Sequence, residues 1–261
     1  MVITGASSGL GAALARAYAA RGADLTLCGR NIERLETTAS DCRVSSGGAA
    51  RVDIEVLDVT DASSMQKRMT AIDTSRPIDT IFANAGVGGS MVVVERPGER
   101  ADVADAIVAT NFTGVLNTVI PVLPGMMRRG RGHVVLVSSL AAFGGLAQSP
   151  VYSASKAAVR LYGEGLRRML HGSGVGVTVV SPGFVDTPMS RSLPVQPPGV
   201  WGVDKAAAAV IAGVDRGKAE IAFPRYLKHL MQFGSLLPAG LSDGLFRLAA
   251  RTAKPRAEGN S

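Results

Sequence analysis

Cysteine is scarce: Cys28 and Cys42 are the only two among 261 residues. They fall in different expected elements without ligand spacing, so they read as reduced, structural thiols of a cytoplasmic chain. Histidine is equally thin. His133, His171 and His229 are scattered, and no metal site is expected. Aromatic residues make up 5% of the chain against 31 glycines, a balance that suits a sheet with closely packed helices. There is no unbroken run of about 18 apolar residues and no signal sequence ahead of the first strand, so a soluble protein is expected. Basic charge is not spread as a nucleic-acid surface would have it. Of the net +7, residues 225–261 hold six Lys/Arg against two Asp/Glu, or +4, leaving +3 for residues 1–224. No nucleic-acid partner is expected.

What is present is alternation. Apolar runs at 1–4, 24–29, 51–57, 78–83, 133–138, 175–181 and 219–223 read as strands. Helical patterns at 12–21, 32–44, 61–75, 99–127, 151–170 and 204–215 fall between them, the fourth interrupted by Pro121 and Pro124. Continuous Val/Ile/Leu strands alternating with helices indicate an α/β, Rossmann-type, doubly wound parallel sheet of about seven strands covered on both faces. No linker divides it. Residues 1–224 are expected to form one domain, with 225–261 as a helical tail packed on it.

The first strand, short and starting at Met1, runs into Gly5-Ala6-Ser7-Ser8-Gly9-Leu10-Gly11. Strand, glycine-rich turn and helix form a pyrophosphate site, because backbone N–H groups and a helix N-terminus face the anion. At the end of the second strand, a carboxylate would accept from a ribose 2′-OH and an arginine would accommodate a 2′-phosphate. The tip here is Gly29-Arg30-Asn31, and Asp24 lies at the wrong end. Arg30 therefore favours NADP(H) over NAD(H). Small residues at Asn84-Ala85-Gly86 would let the backbone approach a cofactor closely.

Tyr152 and Lys156 stand at i and i+4 of an expected helix, on one face. A fixed ammonium beside a phenol favours the phenolate, making Tyr152 a candidate proton donor to a substrate oxygen.

Thr4-Gly5-x3-Gly9-x-Gly11, Asp58-Val59, Asn84-Ala85-Gly86, Asn111, Ser139, Tyr152-x3-Lys156 and Pro182-Gly183 follow one another in an order and spacing that resembles the short-chain dehydrogenase/reductases, over about residues 1–224. The resemblance implies an NAD(P)-dependent oxidoreductase of the single-domain branch, acting on a ketone or secondary alcohol. It implies Tyr152 as general acid in reduction and base in oxidation, with Lys156 lowering its pKa and binding the nicotinamide ribose. Ser139 would bind the substrate oxygen, Ser138 being the lesser candidate, and Asn111 would hold backbone and water for a proton relay. Asp58 and Val59 would flank adenine. Pro182, Gly183, Val185 and Thr187 would lie along the nicotinamide, Thr187 orienting its amide. Ser7, Ser8 and Leu10 belong to the cofactor loop. The resemblance also implies a homodimer or homotetramer paired through the helices of Asn111 and Tyr152. A non-catalytic NADP-sensing regulator and a cofactor-recycling epimerase are the alternatives; a sensor has no need of the full Ser139/Tyr152/Lys156/Asn111 set.

Two regions bear on the substrate and its setting. Phe143, Gly144, Gly145 and Leu146, then Met189, Leu193 and Val195, are apolar without an acidic pair or arginine clamp, which indicates an uncharged, apolar substrate. In the tail, Leu241, Leu245, Leu248 and Ala249 form a helical stripe opposite Arg247, Arg251 and Lys254. Leu227, Leu230 and Met231 form an earlier piece, separated by Pro238 and Gly240. The tail is expected to cover the cleft, to pack on a partner subunit, or to lie peripherally on an anionic membrane.

Overall fold

The computed structural model describes residues 1–88, 100–193 and 199–244. Seven strands form one sheet: β1 (Val2–Thr4), β2 (Leu25–Gly29), β3 (Val52–Val56), β4 (Thr80–Ala83), β5 (Gly132–Val137), β6 (Val175–Pro182) and β7 (Glu220–Phe223). Their order is β3-β2-β1-β4-β5-β6-β7, and every pairing is parallel. The chain winds outward from β1 to β3, then returns to the other side of β1 with β4. The crevice at the carboxyl ends of β1 and β4 is therefore the topological switch point, where such sheets bind ligands.

Between the strands run α1 (Gly9–Ala19), α2 (Ile32–Ser45), α3 (Ala62–Ser75), α4 (Ala101–Val108), α5 (Gly114–Val119), α6 (Leu123–Arg129), α7 (Pro150–Met169), α8 (Pro188–Arg191) and α9 (Val203–Val214); α10 (Arg225–Leu236) follows β7. Successive strand residues feed opposite cores, as the period of two requires. Ile3, Leu27, Phe82 and Val135 pack with Leu14, Leu35 and Val210 on one face. Val2, Cys28, Ile81 and Val134 pack with Met65, Val119, Val159 and Leu166 on the other. Burial pushes the Cys28 thiol up to about 12 and Cys42 to about 11, so neither is a reactive thiolate at neutral pH.

The elements differ from the sequence expectation by a residue or two at several ends, and more informatively at three places. The first helix starts at Gly9, inside the glycine turn, not at residue 12. Pro124 sits in the first turn of α6, where its missing N–H costs nothing, so the break at Ile120–Val122 belongs to Pro121 alone. Gly240 lies within a helical stretch, 239–244, leaving Pro238 as the separator. Leu245, Arg247, Leu248, Ala249, Arg251 and Lys254 lie outside the described residues, as does Val195.

Ala101–Arg129 is long and apolar enough by length and composition to cross a membrane. In the fold, Ile107, Asn111, Val115, Val119 and Met126 are buried, the last three in the core on one face of the sheet, which is the behaviour of a core helix. A half-buried ion pair ties this stretch to α3. Arg129 donates Nη1–H and Nη2–H to the two oxygens of Asp73 at 2.9 and 2.8 Å.

Candidate active site

The cleft is built outward from Thr4, whose hydroxyl donates to the Phe82 carbonyl and accepts from the N–H groups of Asn84 and Ala85 at 3.1 and 3.3 Å. Asn84 in turn donates Nδ2–H to the carbonyls of Thr4 and Gly5 at 2.9 and 3.2 Å. The ends of β1 and β4 are thereby stitched together beneath the glycine loop. Gly5 has φ +65°, and a Cβ there would stand 2.8 Å from the Ala85 Cα. A Cβ on Gly11 would meet the Gly5 carbonyl oxygen at 2.3 Å. Both positions exclude side chains. The Ser8 side chain makes no cap bond to α1, and the first turn carries no acid, so the N-terminal N–H groups of α1 face the crevice uncapped. Leu10 is buried beneath the loop.

At the far end of the crevice, Ser7 lies beside Gly29, its hydroxyl 3.5 Å from where a Cβ would be. Arg30 is exposed at the tip of β2, with Nη1 at 3.7 Å from the Asp58 carboxylate. Burial would raise the Asp58 carboxyl, but bonds from Thr60 and the nearby Arg30 take it below its ordinary value. Val59 is held twice, by Asn117 donating to its carbonyl at 2.9 Å and by Gly114, whose absent side chain leaves room for the Val59 methyl.

Toward the middle of the crevice stand Asn111, Ser139, Tyr152 and Lys156. Asn111 is fully buried on a π-helical turn, Ala109–Thr113, between α4 and α5. Its Oδ1 accepts from Val87 N–H at 2.8 Å, while Nδ2–H donates to the Val87 carbonyl at 3.0 Å and to Ser155 Oγ at 3.2 Å. Ser155 also donates to the Tyr152 carbonyl, so the π turn is tied to the first turns of α7. Ser139 begins a short 3-10 helix, Leu140–Phe143, whose Ala141 N–H donates to the Ser139 hydroxyl. That hydroxyl is also near enough to the Tyr152 phenol to pull its pKa down. Ser138 is occupied differently: buried, it donates to the Lys156 carbonyl at 2.7 Å and fixes the α7 backbone.

Lys156 is 4% exposed, donates Nζ–H to the Val137 carbonyl at 3.0 Å, and lies 5.9 Å from the Tyr152 ring centre. Burial pushes its pKa down to about 8. Burial also raises the Tyr152 phenol, with the Ser139 hydroxyl pulling the other way. The sequence expectation that Lys156 depresses the tyrosine is therefore not met in the chain by itself. An ammonium that is itself desolvated gives up charge, and Ser139 supplies the opposing influence.

The opposite wall follows β6. Pro182 offers its carbonyl to Ser139 at 3.5 Å, and Gly183 N–H donates to Phe223 at 2.7 Å. Val185 is buried beside Trp201, while Thr187 caps α8 and faces Gly9 across the crevice, 3.1 Å from a Cβ placed there. Met189 closes over Gly88. Leu140, Phe143 and Met231 form a small separate core, with Leu146, Ala222 and Leu227 against it, so α10 backs the segment that follows Ser139. Leu230 is exposed, so it does not join that buried face.

These features fit a dinucleotide: a cradle that side chains would fill, an uncapped helix N-terminus, and a buried lysine using one of three donors. A Cβ on Gly86 would come within 3.2 Å of Asn111 Oδ1 and 3.3 Å of Lys156 Nζ, so the strand end must stay bare there. Asn117, Ser155 and Gly114 were not singled out by sequence reasoning. Each acts through a contact distant in sequence, and nothing local marks it.

Residues 1–197 match the family described as short chain dehydrogenase. The chain is 39% identical over 249 residues to an uncharacterized oxidoreductase of Myxococcus xanthus, covering 94% of this chain and 95% of that one. It is 30% identical to dehydrogenase/reductase SDR family member 7B of Bos taurus, covering 97% and 81%. Among solved structures, a short-chain dehydrogenase from Sphingobium yanoikuyae in complex with NADPH superposes with a TM-score of 0.77 at 27% identity, covering 100% of this chain and 97% of that one. Levodione reductase also superposes with a TM-score of 0.77, at 26% identity, covering 85% and 94%.

Proposed function

This chain belongs to the short-chain dehydrogenase/reductase family and is an NAD(P)-dependent oxidoreductase, and we propose that it interconverts an apolar ketone and its secondary alcohol with NADP(H), using Tyr152 as proton donor and acceptor. The observation that carries this reading is the placement of a buried Lys156 5.9 Å from the Tyr152 ring centre, with Ser139 at the mouth of the same crevice and Asn111 bonded through Ser155 behind them. The bound nicotinamide supplies or accepts the hydride. Everything else falls to the chain. In reduction, a carbonyl oxygen placed between Ser139 and Tyr152 takes a hydrogen bond from the serine and a proton from the phenol. Burial keeps that phenol protonated at neutral pH, the state a donor needs. Lys156 has two N–H groups left for the nicotinamide ribose, and Asn111 holds the Val87 backbone that lines the cofactor path.

Arg30 supports the phosphorylated cofactor: it is exposed at the tip of β2, where the 2′ position would fall, and that tip carries no acid. The Sphingobium neighbour was solved with NADPH. The bulky-bulky ketone specific alcohol dehydrogenase of Comamonas testosteroni shares the fold, with a TM-score of 0.74 at 25% identity, covering 100% of this chain and 95% of that one. Met189, which closes over Gly88 at the end of β4, supports an apolar substrate. Exposed Val108, Ile120, Leu161 and Met169, on or next to α4, α5 and α7, support pairing of subunits through those helices. Buried, unpaired thiols suit a reducing cytoplasm. The test is a panel of ketones and alcohols with NADPH, NADH and their oxidised forms, followed by absorbance of the reduced nicotinamide. Turnover of apolar ketones with NADPH is expected. Binding without turnover across the panel would favour a sensor, and turnover without net cofactor consumption would favour an epimerase.

A further inference from the structure

The helix α10 buries one side and leaves another bare. Leu227, Met231 and Gly234 face inward, while Tyr226, Leu230 and Phe233, at i, i+4 and i+7, are 65%, 63% and 61% exposed on a single face. Leu236, at 83%, and Leu241, at 63%, extend the exposed apolar surface. Contiguous bulky apolar surface of this kind marks an interaction site.

Along its polar flank α10 borders a groove of about 290 Å³ at the open edge of β7, lined by Arg216, Lys218, Glu220, Arg225, Lys228 and His229. Glu220 is bonded to Lys228, which leaves Arg216, Lys218 and Arg225 without a carboxylate partner among the described residues. Apolar stripe and cationic groove are neighbours on one helix.

The charge decides what this surface fits. A second copy meeting it about a twofold axis would set the patch against itself, cation facing cation. A nucleic acid would use the cations but leave the leucines in water. An anionic bilayer uses both, because headgroups accept the cations while the apolar face enters the headgroup–acyl boundary. We propose that the outer face of α10 with the groove at β7 is a docking surface for an anionic lipid membrane. Because the inner face of α10 backs Leu140 and Phe143, and Tyr226 Oη lies 3.1 Å from a Cβ placed at Gly199, docking would set the mouth of the substrate cleft at the bilayer. The sequence pattern had offered such a role to the tail as a whole, residues 225–261; among the described residues of that tail, the surface lies on α10.

The test is co-sedimentation of the full chain with phosphatidylcholine vesicles, with and without phosphatidylserine, at low and high salt, alongside Leu230→Glu/Phe233→Glu and Arg216→Glu/Lys218→Glu. All four side chains lie away from the catalytic groups, so activity on a soluble ketone serves as a control for folding. The wild-type chain is expected to bind only anionic vesicles and to be released by salt. Each cation lost near such a surface is worth about fivefold in partitioning, so the groove variant should lose about 25-fold or more. The apolar variant should lose at least about tenfold. If the wild-type chain stays in the supernatant at low salt, or both variants bind as it does, the proposal is overturned. If Leu230→Glu/Phe233→Glu instead splits an oligomer while the wild type ignores vesicles, the face belongs to a second copy. The vesicle assay needs neither cofactor nor substrate, so its failure is separable from failure of the oxidoreductase reading.

Discussion

The fold treats two of its cations, Arg129 and Lys156, in opposite ways. Arg129 meets both oxygens of Asp73, which also accepts from the Ile78 N–H. Burial would raise that carboxyl, yet these bonds hold it below its ordinary value. Lys156 is more deeply buried, has a single backbone carbonyl for company and no carboxylate among the described residues, and its pKa falls to about 8. The first arrangement pairs the charge with a carboxylate and fastens α3 to α6, although the Arg129 Nε–H is buried without a partner among the described residues. The second leaves donors unspent at the place where a cofactor would meet them. A buried cation that the fold does not satisfy marks a site kept ready for something else.

The widest test of that contrast is Tyr152→Phe. It removes one hydroxyl from the unsatisfied cluster and almost no volume, so the chain should fold and bind NADPH while turnover falls about 10²–10⁴-fold. Activity above about a tenth of wild type would move the proton to another group. Next comes a stability pair. Asp73→Ala strips half-buried Arg129 of its partner and should cost about 2 kcal/mol in urea unfolding. Lys156→Met removes a charge that has no partner, so it should abolish turnover yet leave the cofactor-free chain as stable as wild type or more so.

The two sites also differ in their pH windows. Asp73 has a folded pKa below its free value of 3.8, so its contribution is present above that pH and lost as pH falls. Lys156 has a folded pKa of about 8 against 10.5 when free. Its cost is therefore full below about 8 and relieved as pH rises toward 10.5, and the advantage of Lys156→Met over wild type should shrink across that interval. A constant difference would mean that Lys156 is solvated or paired. The smallest expected effect is at Arg30, which is exposed. Arg30→Asp should weaken NADPH by about tenfold, the worth of one charged hydrogen bond, with little change for NADH in fluorescence titrations. A wild-type chain that already prefers NADH would remove the basis for the NADP(H) reading.

The sheet and the loop were legible because their signals are local. Val134-Val135-Leu136-Val137 can only be a strand buried on both sides, and the glycines from 5 to 11 announce a turn running into a helix. The electrostatics of the Tyr152–Lys156 pair were not legible. Spacing places two side chains on one face but says nothing of how much water the fold removes, and here burial raises the phenol and lowers the ammonium. Asn117, which clasps Val59 across 58 residues, shows the same limit. So does Leu230, which shares the apolar periodicity of α10 and yet faces outward. Periodicity finds a stripe; only packing tells which neighbour claims it.

Residues 109–113 wind more loosely than the α-helices on either side, so this stretch of chain carries one residue beyond what an unbroken α-helix would use. That surplus is where Asn111 is aimed inward. It also makes the helix asymmetric toward changes in length. Loss of one residue within the π turn could be absorbed by tightening it, with Gly114 still against Val59 and Ile107 still in the core, and the aim of Asn111 would be the casualty. Loss of one residue in α5 would rotate its buried face away from the sheet. A shortened descendant of this chain could thus keep its shape and lose its chemistry at one position, which makes the extra residue a mark to look for when separating working members of such a lineage from silent ones.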